Sequence, residues 1–262
     1  MTQWSSQAGV MELCLSQPPL NEIGSEMLER LERFVAEAER EQPRAVLIHS
    51  GLERGFSAGA DLRQLYFAIR EREPREYRHA VADFIDRTHE VMNRLDALPC
   101  TTIGAIHGAC FGGGFELALT LDVLVADTSA RFCFPELRLG IIPGFGGIPR
   151  LSREVPNAVV RDLILTGRSI SAKKAAALGL VSQLVGRGEA LAVARQTALQ
   201  AALFELPVVA SAKAFMKPIP REQLLAEKAL FIELFERPEV LEALRSFVER
   251  DDSMPYLPLP ES

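Results

Sequence analysis

The chain has 262 residues, of which 48% are hydrophobic, and it carries a formal net charge of -6 at pH 7. A chain of this size and composition can bury a sizeable core, as one large domain or as one domain with a smaller appendage. The negative charge argues against nucleic acid or an anionic membrane as a partner, because both repel an acidic surface. Any anionic ligand must therefore be held by locally placed basic groups.

The N-terminal segment and the cysteines give no sign of secretion or of a metal site. Met1 to Gln7 is polar, the first basic residue is Arg30, and no uncharged apolar run approaches the ~20 residues that a membrane helix needs. We therefore expect a cytoplasmic protein with no membrane partner. The sequence has four cysteines, which lie far apart without CxxC spacing and are interpreted as reduced thiols: Cys14, Cys100, Cys110 and Cys133.

The first part of the chain alternates between strand and helix patterns. Predicted strands at Val10 to Leu15 and Ala45 to His49 flank apolar residues at helical spacing between Ile23 and Ala38. A charged stretch from Arg63 to Arg78 leads into a helix that runs toward Leu98. Then follow a strand at Thr101 to His107, a helix that begins at Gly112 to Gly114, and strands at Leu121 to Ala126 and Arg131 to Phe134. This alternation is typical of an α/β protein.

Helical patterns dominate from Asn157 onward, with one strand-like segment at Val181 to Val185. The predicted helices are Ala172 to Leu178, Gly188 to Leu203, Pro207 to Met216 and Arg221 to Phe235. The proline-containing tail, Met254 to Ser262, is predicted to be extended or loose. We accordingly divide the chain into an α/β core with the active site, residues 1–200, and a helical C-terminal region, residues 201–262.

A segment of small residues, FSAGADL at 56–62, follows a predicted strand. Small side chains allow a ligand to approach the backbone closely, so the segment is a candidate binding loop. The alternative is a tight turn into a helix that Asp61 caps. This segment alone does not separate the two.

A second candidate loop, GACFGGGFE at 108–116, lies between a predicted buried strand and a helix. The positive end of that helix would stabilise an anion or an oxyanion docked there. A phosphate loop is less well supported, because Leu117 stands where G-x-G-x-x-G needs a small residue and no G-K-[ST] follows.

Two glutamates stand in apolar segments. Glu116 falls in a helix predicted to be buried on every side, where a carboxylate is costly without a role or a partner. Its alternative role is to complement the helix dipole in the first turn. Glu136 lies within the loop at 134–144, and its alternative is an ion pair with Arg131 or Arg138.

The remaining polar residues indicate neither a metal site nor covalent catalysis. His49 and His107 end apolar strands and are interpreted as core or turn residues, whereas His79 and His89 are placed on a charged helix face. None has the spacing of a metal ligand, so no metal is predicted. Ser57 lacks the G-x-S-x-G elbow of a nucleophilic serine.

The candidate parts together match one type of reaction. Adding water across a conjugated thioester requires a base for water, an acid for carbon, and donors for the developing oxyanion. Two apolar-flanked carboxyls and two amide-presenting loops supply these roles. Apolar surroundings raise the pKa of a carboxyl, which would let one glutamate hold a proton while the other stays ionised.

In these motifs the sequence resembles the enoyl-CoA hydratase/isomerase (crotonase) family. The resemblance spans roughly residues 10–215, and its motifs follow in the family's order: FSAGADL at 56–62, GACFGGGFELAL at 108–119, FPELRLGIIPGFGG at 134–147 and LILTGRSISAKKAAALGLVSQLV at 163–185. It implies a crotonase-like α/β fold with a core of repeated ββα units and a helical C-terminal region that mediates trimer formation. The expected activity is that of a lyase, an enoyl-CoA hydratase, with coenzyme A entering as part of the acyl-CoA substrate and no separate cofactor.

Matched residue by residue, the resemblance implies the roles of four residues at the reacting centre. Ala60 and Gly113 would donate the oxyanion-hole N–H groups, and Glu116 and Glu136 would be the two catalytic acids. Glu116 is assigned to activating water and Glu136 to delivering a proton to the α-carbon.

The same matching predicts a coenzyme A path. Ala58, Ala60 and Leu62 would lie along the adenine and pantetheine, and Arg63 would meet the phosphates. Two departures affect the substrate: Phe145 stands where many hydratases carry alanine, and the stretch after Asp61 is longer than in the shortest members. Isomerisation, or dehydration or decarboxylation of a branched acyl group, therefore remain alternatives, as does a non-enzymatic acyl-CoA-binding or scaffold protein.

A homotrimer, or a hexamer formed as a dimer of trimers, is also expected. Apolar residues of the last predicted helix would then bury against neighbouring subunits, or alternatively cover the chain's own core: Leu224, Leu230, Ile232, Leu234 and Phe235.

Overall fold

The computed structural model describes residues 3–72 and 74–249 and contains two β-sheets. Numbered in chain order, the six strands of the larger sheet are, from edge to edge, β1 (Gln3–Gln7), β2 (Val10–Leu15), β3 (Ala45–Ser50), β5 (Thr101–Ile106), β7 (Val123–Asp127) and β10 (Gln183–Val185). The β1–β2 pair is antiparallel and the other pairs are parallel. The sequence analysis missed β1, because a polar edge strand lacks the apolar pattern that reveals buried strands.

The smaller sheet has very short strands, in the order β4 (Gly55–Ser57), β6 (Ala109–Phe111), β8 (Arg131–Cys133) and β9 (Ile170–Ser171). Three of them directly follow a strand of the larger sheet: β4 follows β3, β6 follows β5, and β8 follows β7. The chain thus steps three times from the large sheet to the small one and then into a helical segment. This arrangement confirms the predicted core of repeated ββα units.

Helices surround both sheets. They are α1 (Ser25–Glu41), α2 (Leu62–Ile69), α3 (Pro74–Asp96), α4 (Gly113–Ala118), α5 (Gly147–Glu154), α6 (Asn157–Thr166), α7 (Ala172–Ala177), α8 (Ala190–Ala201), α9 (Leu206–Met216), α10 (Arg221–Phe235) and α11 (Pro238–Val248), with a 3-10 helix at Glu136–Leu139. The sequence analysis predicted no helix after Phe235 and missed α11, whose first residue is Pro238; proline is well tolerated at a first helical position. The predicted loose tail at 254–262 lies outside the described residues.

The C-terminal helices contribute to the main hydrophobic core. Phe231 and Phe235 of α10 belong to the same buried cluster as the central helices and strands, together with Val240 and Leu244 of α11. Within this chain Leu224 and Phe235 are already buried, so the expectation that they bury against neighbouring subunits is wrong; they cover the chain's own core. Leu230 remains exposed at 45%. The predicted boundary near residue 200 stays a prediction.

In the described ranges, 3–72 and 74–249, no single helix has the length and apolar composition of a membrane span. The pair α8 and α9 passes that test when taken together, but the two helices meet at a bend of 113°.

Candidate active site

The loop between β4 and α2 leaves the amide of Ala60 available. The hydroxyl of Ser57 donates a 2.7 Å hydrogen bond to the carbonyl of Asn21 and accepts one of 3.2 Å from the amide of Gly59. Gly59 has a φ of +97°, in the left-handed region that favours glycine. In the part of the chain that the structure describes, the Ala60 amide donates no hydrogen bond. The loop is therefore fixed around one unused N–H group.

The loop between β6 and α4 does the same for the amide of Gly113. Gly112 has a φ of +49°, and its amide donates a 2.9 Å hydrogen bond to the carbonyl of Cys133. Gly113 is the first residue of α4, a position whose N–H has no acceptor within its own helix. It donates to no other described residue.

These two amide-bearing loops abut each other. A Cβ atom built on Gly113 would lie 3.3 Å from the amide nitrogen of Ala60, and one built on Gly59 would lie 2.9 Å from the amide nitrogen of Gly113. The Gly113 Cβ would also come within 2.6 Å of the Phe145 ring. Glycine at 59 and 113 thus allows the close approach, and the two amides predicted to form the oxyanion hole lie side by side.

Glu116 is buried, with one carboxylate oxygen held by another helix. Its Oε1 accepts hydrogen bonds of 2.8 Å from the amides of Phe145 and Gly147, at the beginning of α5. It does lie in the first turn of α4, as the dipole alternative assumed, but these hydrogen bonds complement α5 instead. Burial raises the pKa of the Glu116 carboxyl to about 7, although the two amides and the nearby Arg150 guanidinium lower it.

Glu136 has no comparable support. The residue is half-buried, but its Oε2 is sheltered from solvent and has no hydrogen-bond partner among the described residues. Arg138, one of the two arginines considered as ion-pair partners, donates a 3.1 Å hydrogen bond to the carbonyl of Gly167. Burial raises the pKa of Glu136 well above its ordinary value, and the charges of Glu116 and Glu227 raise it further.

A narrow cavity of about 60 Å³ joins these parts. Both glutamates border it, as do Ala60, Gly113 and the ring of Phe145. The rest of its wall is mainly apolar: Ala58, Leu62, Leu65, Val81, Phe84, Ile85, Leu139, Ile141 and Phe231. Apolar walls keep water scarce, which strengthens hydrogen bonds and charges inside the cavity.

Three of the four residues predicted to contact coenzyme A line this cavity, namely Ala58, Ala60 and Leu62. A second cavity of about 290 Å³ shares Ala60 with the first and extends to the start of α1 at Gly24. Arg63 lies elsewhere: it is exposed, and its Nη1 donates a 2.9 Å hydrogen bond to the carbonyl of Val248 on α11.

Asp61 caps α2, as the alternative interpretation of this segment proposed. Its Oδ1 accepts a 2.8 Å hydrogen bond from the amide of Gln64. The turn alternative and the binding-loop prediction are therefore compatible, because the cap fixes the residue that follows Ala60.

Three buried polar residues near the site were not recognised from the sequence. His89 was placed on a charged face but is buried, and its Nε2 lies 2.8 Å from the carbonyl oxygen of Gly144. The side chain of Arg150 is fully buried and pairs with Asp96 at 3.0 Å. The third is Glu227 of α10, which is 6% exposed.

A sequence signal for Glu227 existed. It lies three residues after Leu224 and four before Phe231, which places it on the buried stripe of α10 at helical spacing. An acid on an apolar stripe is as unusual as Glu116 in its helix.

The arrangement can carry out acid–base chemistry at a carbonyl compound. Two adjacent amides can hold a developing oxyanion, while two carboxyls with different pKa values can take up and deliver protons. Within residues 3–72 and 74–249, no group of three or more His, Cys, Asp or Glu side chains is arranged to hold a metal ion.

Comparison with known proteins gives the same picture. A model of the enoyl-CoA hydratase/isomerase family matches residues 5–254. A protein named probable enoyl-CoA hydratase from Bacillus subtilis is 34% identical over 251 residues, which cover 92% of this chain and 93% of that protein. A carnitinyl-CoA dehydratase from Salmonella typhi is 35% identical over 192 residues, covering 73% of this chain and 70% of that protein.

Among solved structures, the crystal structure of an enoyl-CoA hydratase from Bacillus anthracis has a TM-score of 0.76 and 28% identity. The match covers 95% of this chain and 96% of that one. The family model, the Bacillus subtilis relative and the solved structure each match almost the whole length of the chain. The chain belongs to the enoyl-CoA hydratase/isomerase family.

Proposed function

We propose that the protein is an enoyl-CoA hydratase, a lyase that adds water across the 2,3 double bond of an acyl-CoA thioester. The observation that carries this proposal is the pairing of two buried carboxyls in unlike surroundings with two unused amides on one apolar cavity. Each of these groups has a role in hydration, and none is left over. A non-enzymatic acyl-CoA-binding protein would have no need for buried carboxyls, which are costly to keep.

In the proposed reaction, the amides of Ala60 and Gly113 hold the thioester oxygen as it gains negative charge. Glu116, with the lower pKa of the two, accepts a proton from water while the water oxygen bonds to C3. The resulting enolate then takes a proton from Glu136 at C2, and the thioester carbonyl is restored. Losing one oxyanion donor typically costs ~100 to 1,000-fold in rate, so the amides contribute as much as an acid or base.

Coenzyme A is part of the substrate in this proposal, and no separate cofactor is involved. Ala58, Ala60 and Leu62 would border the thioester and pantetheine, and the second cavity beside Gly24 offers a path for the rest of the carrier. Arg63 would have to leave the carbonyl of Val248, or share its guanidinium, to meet a phosphate.

The deciding assay is the loss of 2-enoyl-CoA absorbance when enzyme is added, with the 3-hydroxyacyl-CoA product identified by mass. A panel of short to medium trans-2-enoyl-CoA thioesters is suitable, because the cavity is small. If no member of a panel of saturated and unsaturated acyl-CoAs binds or reacts, the enzyme proposal gives way to a scaffold role.

Dehydration of a 3-hydroxyacyl-CoA is a second candidate, favoured by the likeness to the carnitinyl-CoA dehydratase. It is hydration in reverse and uses the same acid and base. Initial rates measured in the hydration and dehydration directions, with each acyl group, identify the substrate on which the protein is faster. Isomerisation of 3-enoyl-CoA is measured in the same panel.

We also propose that the protein assembles as a homotrimer or as a hexamer. Several large apolar side chains are exposed at α8, α9 and the connection between them: Leu199, Leu203, Phe204, Val208, Phe215 and Met216. Phe215 is 90% exposed, and contiguous exposed apolar residues commonly mark an interface. A monomer in sedimentation at micromolar concentration would contradict this assembly.

A further inference from the structure

Glu227 is a third buried glutamate beside the site, but it does not border the catalytic cavity. Its carboxyl reaches the N-terminal end of α5 from α10, and its Oε1 accepts a 2.8 Å hydrogen bond from the amide of Ile148. Its Oε2 is buried without a hydrogen-bond partner among the described residues. Glu227 can therefore influence the reaction only indirectly, through the segment that it holds or through its charge.

That segment, Gly144 to Ile148, is held by side chains from several elements. Glu116 accepts the amides of Phe145 and Gly147, whereas Glu227 accepts the amide of Ile148. Two carbonyl oxygens of the segment are held as well. His89 contacts the Gly144 oxygen, and Arg150 donates a 2.9 Å hydrogen bond to the Phe145 oxygen. Two glutamates from two different helices thus accept hydrogen bonds from three amides of one turn, those of Phe145, Gly147 and Ile148.

We propose that Glu227 is a positioning residue for Glu116: by holding the Ile148 amide it fixes the beginning of α5, so that the Phe145 and Gly147 amides hold the Glu116 carboxylate in place. The Oε1 of Glu116 is fully engaged by these amides, which leaves its other oxygen for the chemistry at the cavity. A loosened α5 terminus would let this carboxylate shift relative to the thioester. The rate readout of this inference rests on the proposed hydratase function.

The surroundings of Glu227 disfavour its charged form. Burial, and then the repulsion from Glu116, raise the pKa of Glu227 well above its ordinary value, against the Ile148 amide and Arg150. The ionisable groups that act on Glu227 are Glu116 and Arg150, and Glu227 in turn acts on Glu136; His89 holds the Gly144 carbonyl at the other end of the segment. Burial lowers the pKa of His89 to about 4, so this residue is neutral at pH 7. Glu227 acts through the oxygen that accepts the Ile148 amide, and a glutamine, which keeps an acceptor of the same length, should replace it.

The test compares Glu227→Gln, which keeps a neutral acceptor of the same length, with Glu227→Leu, which removes the acceptor at similar volume. The exposed Glu233 lies on the same helix, and Glu233→Leu is the matched control. We expect Glu227→Leu to lower kcat by about 10 to 100-fold with little change in KM, the scale of a misplaced catalytic group. Glu227→Gln and Glu233→Leu should stay within about twofold of the parent in kcat, a change of under 0.5 kcal/mol.

Two further readouts separate positioning from a merely structural role. Hydrogen exchange of a peptide containing Phe145 and Gly147 should accelerate in Glu227→Leu and stay slow in Glu227→Gln, without substrate present. The acidic limb of the pH–rate profile should keep its midpoint in Glu227→Gln, because burial disfavours a charge at this position in the parent as well. If Glu227→Leu does not fold, Glu227→Asp gives the same comparison by retracting the acceptor.

The possible failures are distinguishable. A folded Glu227→Leu protein with parental kcat and parental exchange overturns the inference. Equal damage in Glu227→Gln and Glu227→Leu also overturns it, since Glu227 would then act by its charge. If the parent does not hydrate any 2-enoyl-CoA, the proposed function fails, while the exchange comparison still tests the positioning by Glu227.

Discussion

The surroundings of Glu116 and Glu136 differ in hydrogen bonding although both carboxyls are sheltered from solvent. At Glu116, two amides from the beginning of α5 converge on one oxygen. At Glu136, the Oε2 atom has no partner among residues 3–72 and 74–249. Donors to a carboxylate favour its ionised form, whereas an unsupported buried carboxyl keeps its proton. Burial alone would make the two glutamates alike, and the two amides separate their roles.

The carboxyl of Glu136 lies close to the backbone at Gly112, where glycine has no side chain in the way. A Cβ atom on Gly112 would lie 2.8 Å from Oε1 of Glu136, so the carboxyl approaches the backbone where only glycine leaves room. The approach places a carboxyl whose pKa is raised by burial next to the amides of the oxyanion site. An acid that must donate to carbon gains from such a position, since its proton is not held by another acceptor.

The largest effect should come from removing either carboxyl. Glu116→Gln and Glu136→Gln should each lower hydration of 2-enoyl-CoA by roughly 100 to 10,000-fold, the scale for losing general acid or base help. Each glutamine keeps the shape of the side chain, so acyl-CoA binding measured by calorimetry should persist.

The same pair of variants tests whether Glu116 and Glu136 have separate roles. Assays on 3-enoyl-CoA run beside the hydration assay, because isomerisation can proceed with one base. If Glu116→Gln keeps the principal activity while Glu136→Gln abolishes it, the enzyme is a one-base catalyst. The unlike surroundings would then not correspond to separate roles in hydration.

The next largest effect concerns the oxyanion site, which serves the chemistry of both glutamates. Gly113→Pro deletes one amide at a first helical position, where proline is tolerated, but its Cβ would meet the Phe145 ring. The variant is therefore made in a Phe145→Ala background, with Gly113→Ala in that background as the control that keeps the amide. We expect the proline variant to be ~100-fold slower than the control, as for loss of one donor. Equal rates in both would remove the Gly113 amide from the mechanism.

The parts of the site that the sequence revealed are those formed by neighbours in the chain. The local sequence shows glycine directly before each oxyanion residue, at Gly59 and Gly112. It also shows the two acids among apolar neighbours. Glu227 and His89 were not predicted because their burial depends on how α10 and α3 pack around the Gly144 segment. For the fold, long buried strands gave clear patterns, and β8 was predicted as well, whereas β4, β6 and β9 of the smaller sheet, with two or three residues each, are too short for any periodicity.

Phe145 affects the surroundings of Glu116 in two ways: its amide donates a hydrogen bond to Glu116, and its ring borders the cavity. Phe145→Ala keeps the amide but removes the ring that packs 6.0 Å from Phe84 and narrows the cavity. We expect the kcat/KM ratio of longer to shorter acyl chains to rise by about 10-fold or more, within the range for one methylene. Phe84→Ala serves as the comparison, because it enlarges the same wall without touching the amide donors. Unchanged chain-length preference in both variants would place the acyl chain elsewhere.

The smallest effect tests the difference between the carboxyls in the unmodified enzyme. The pKa of Glu116 is raised to about 7, so its ionised fraction, and with it kcat/KM, should rise about tenfold per pH unit below that value. At higher pH, kcat/KM should fall as Glu136, whose pKa is raised further, loses the proton that it must donate. Because the two carboxyls interact, the two limbs report the pair as well as each residue. An acidic limb near the ordinary carboxyl pKa of ~4.3 would mean that burial does not raise the pKa of the base.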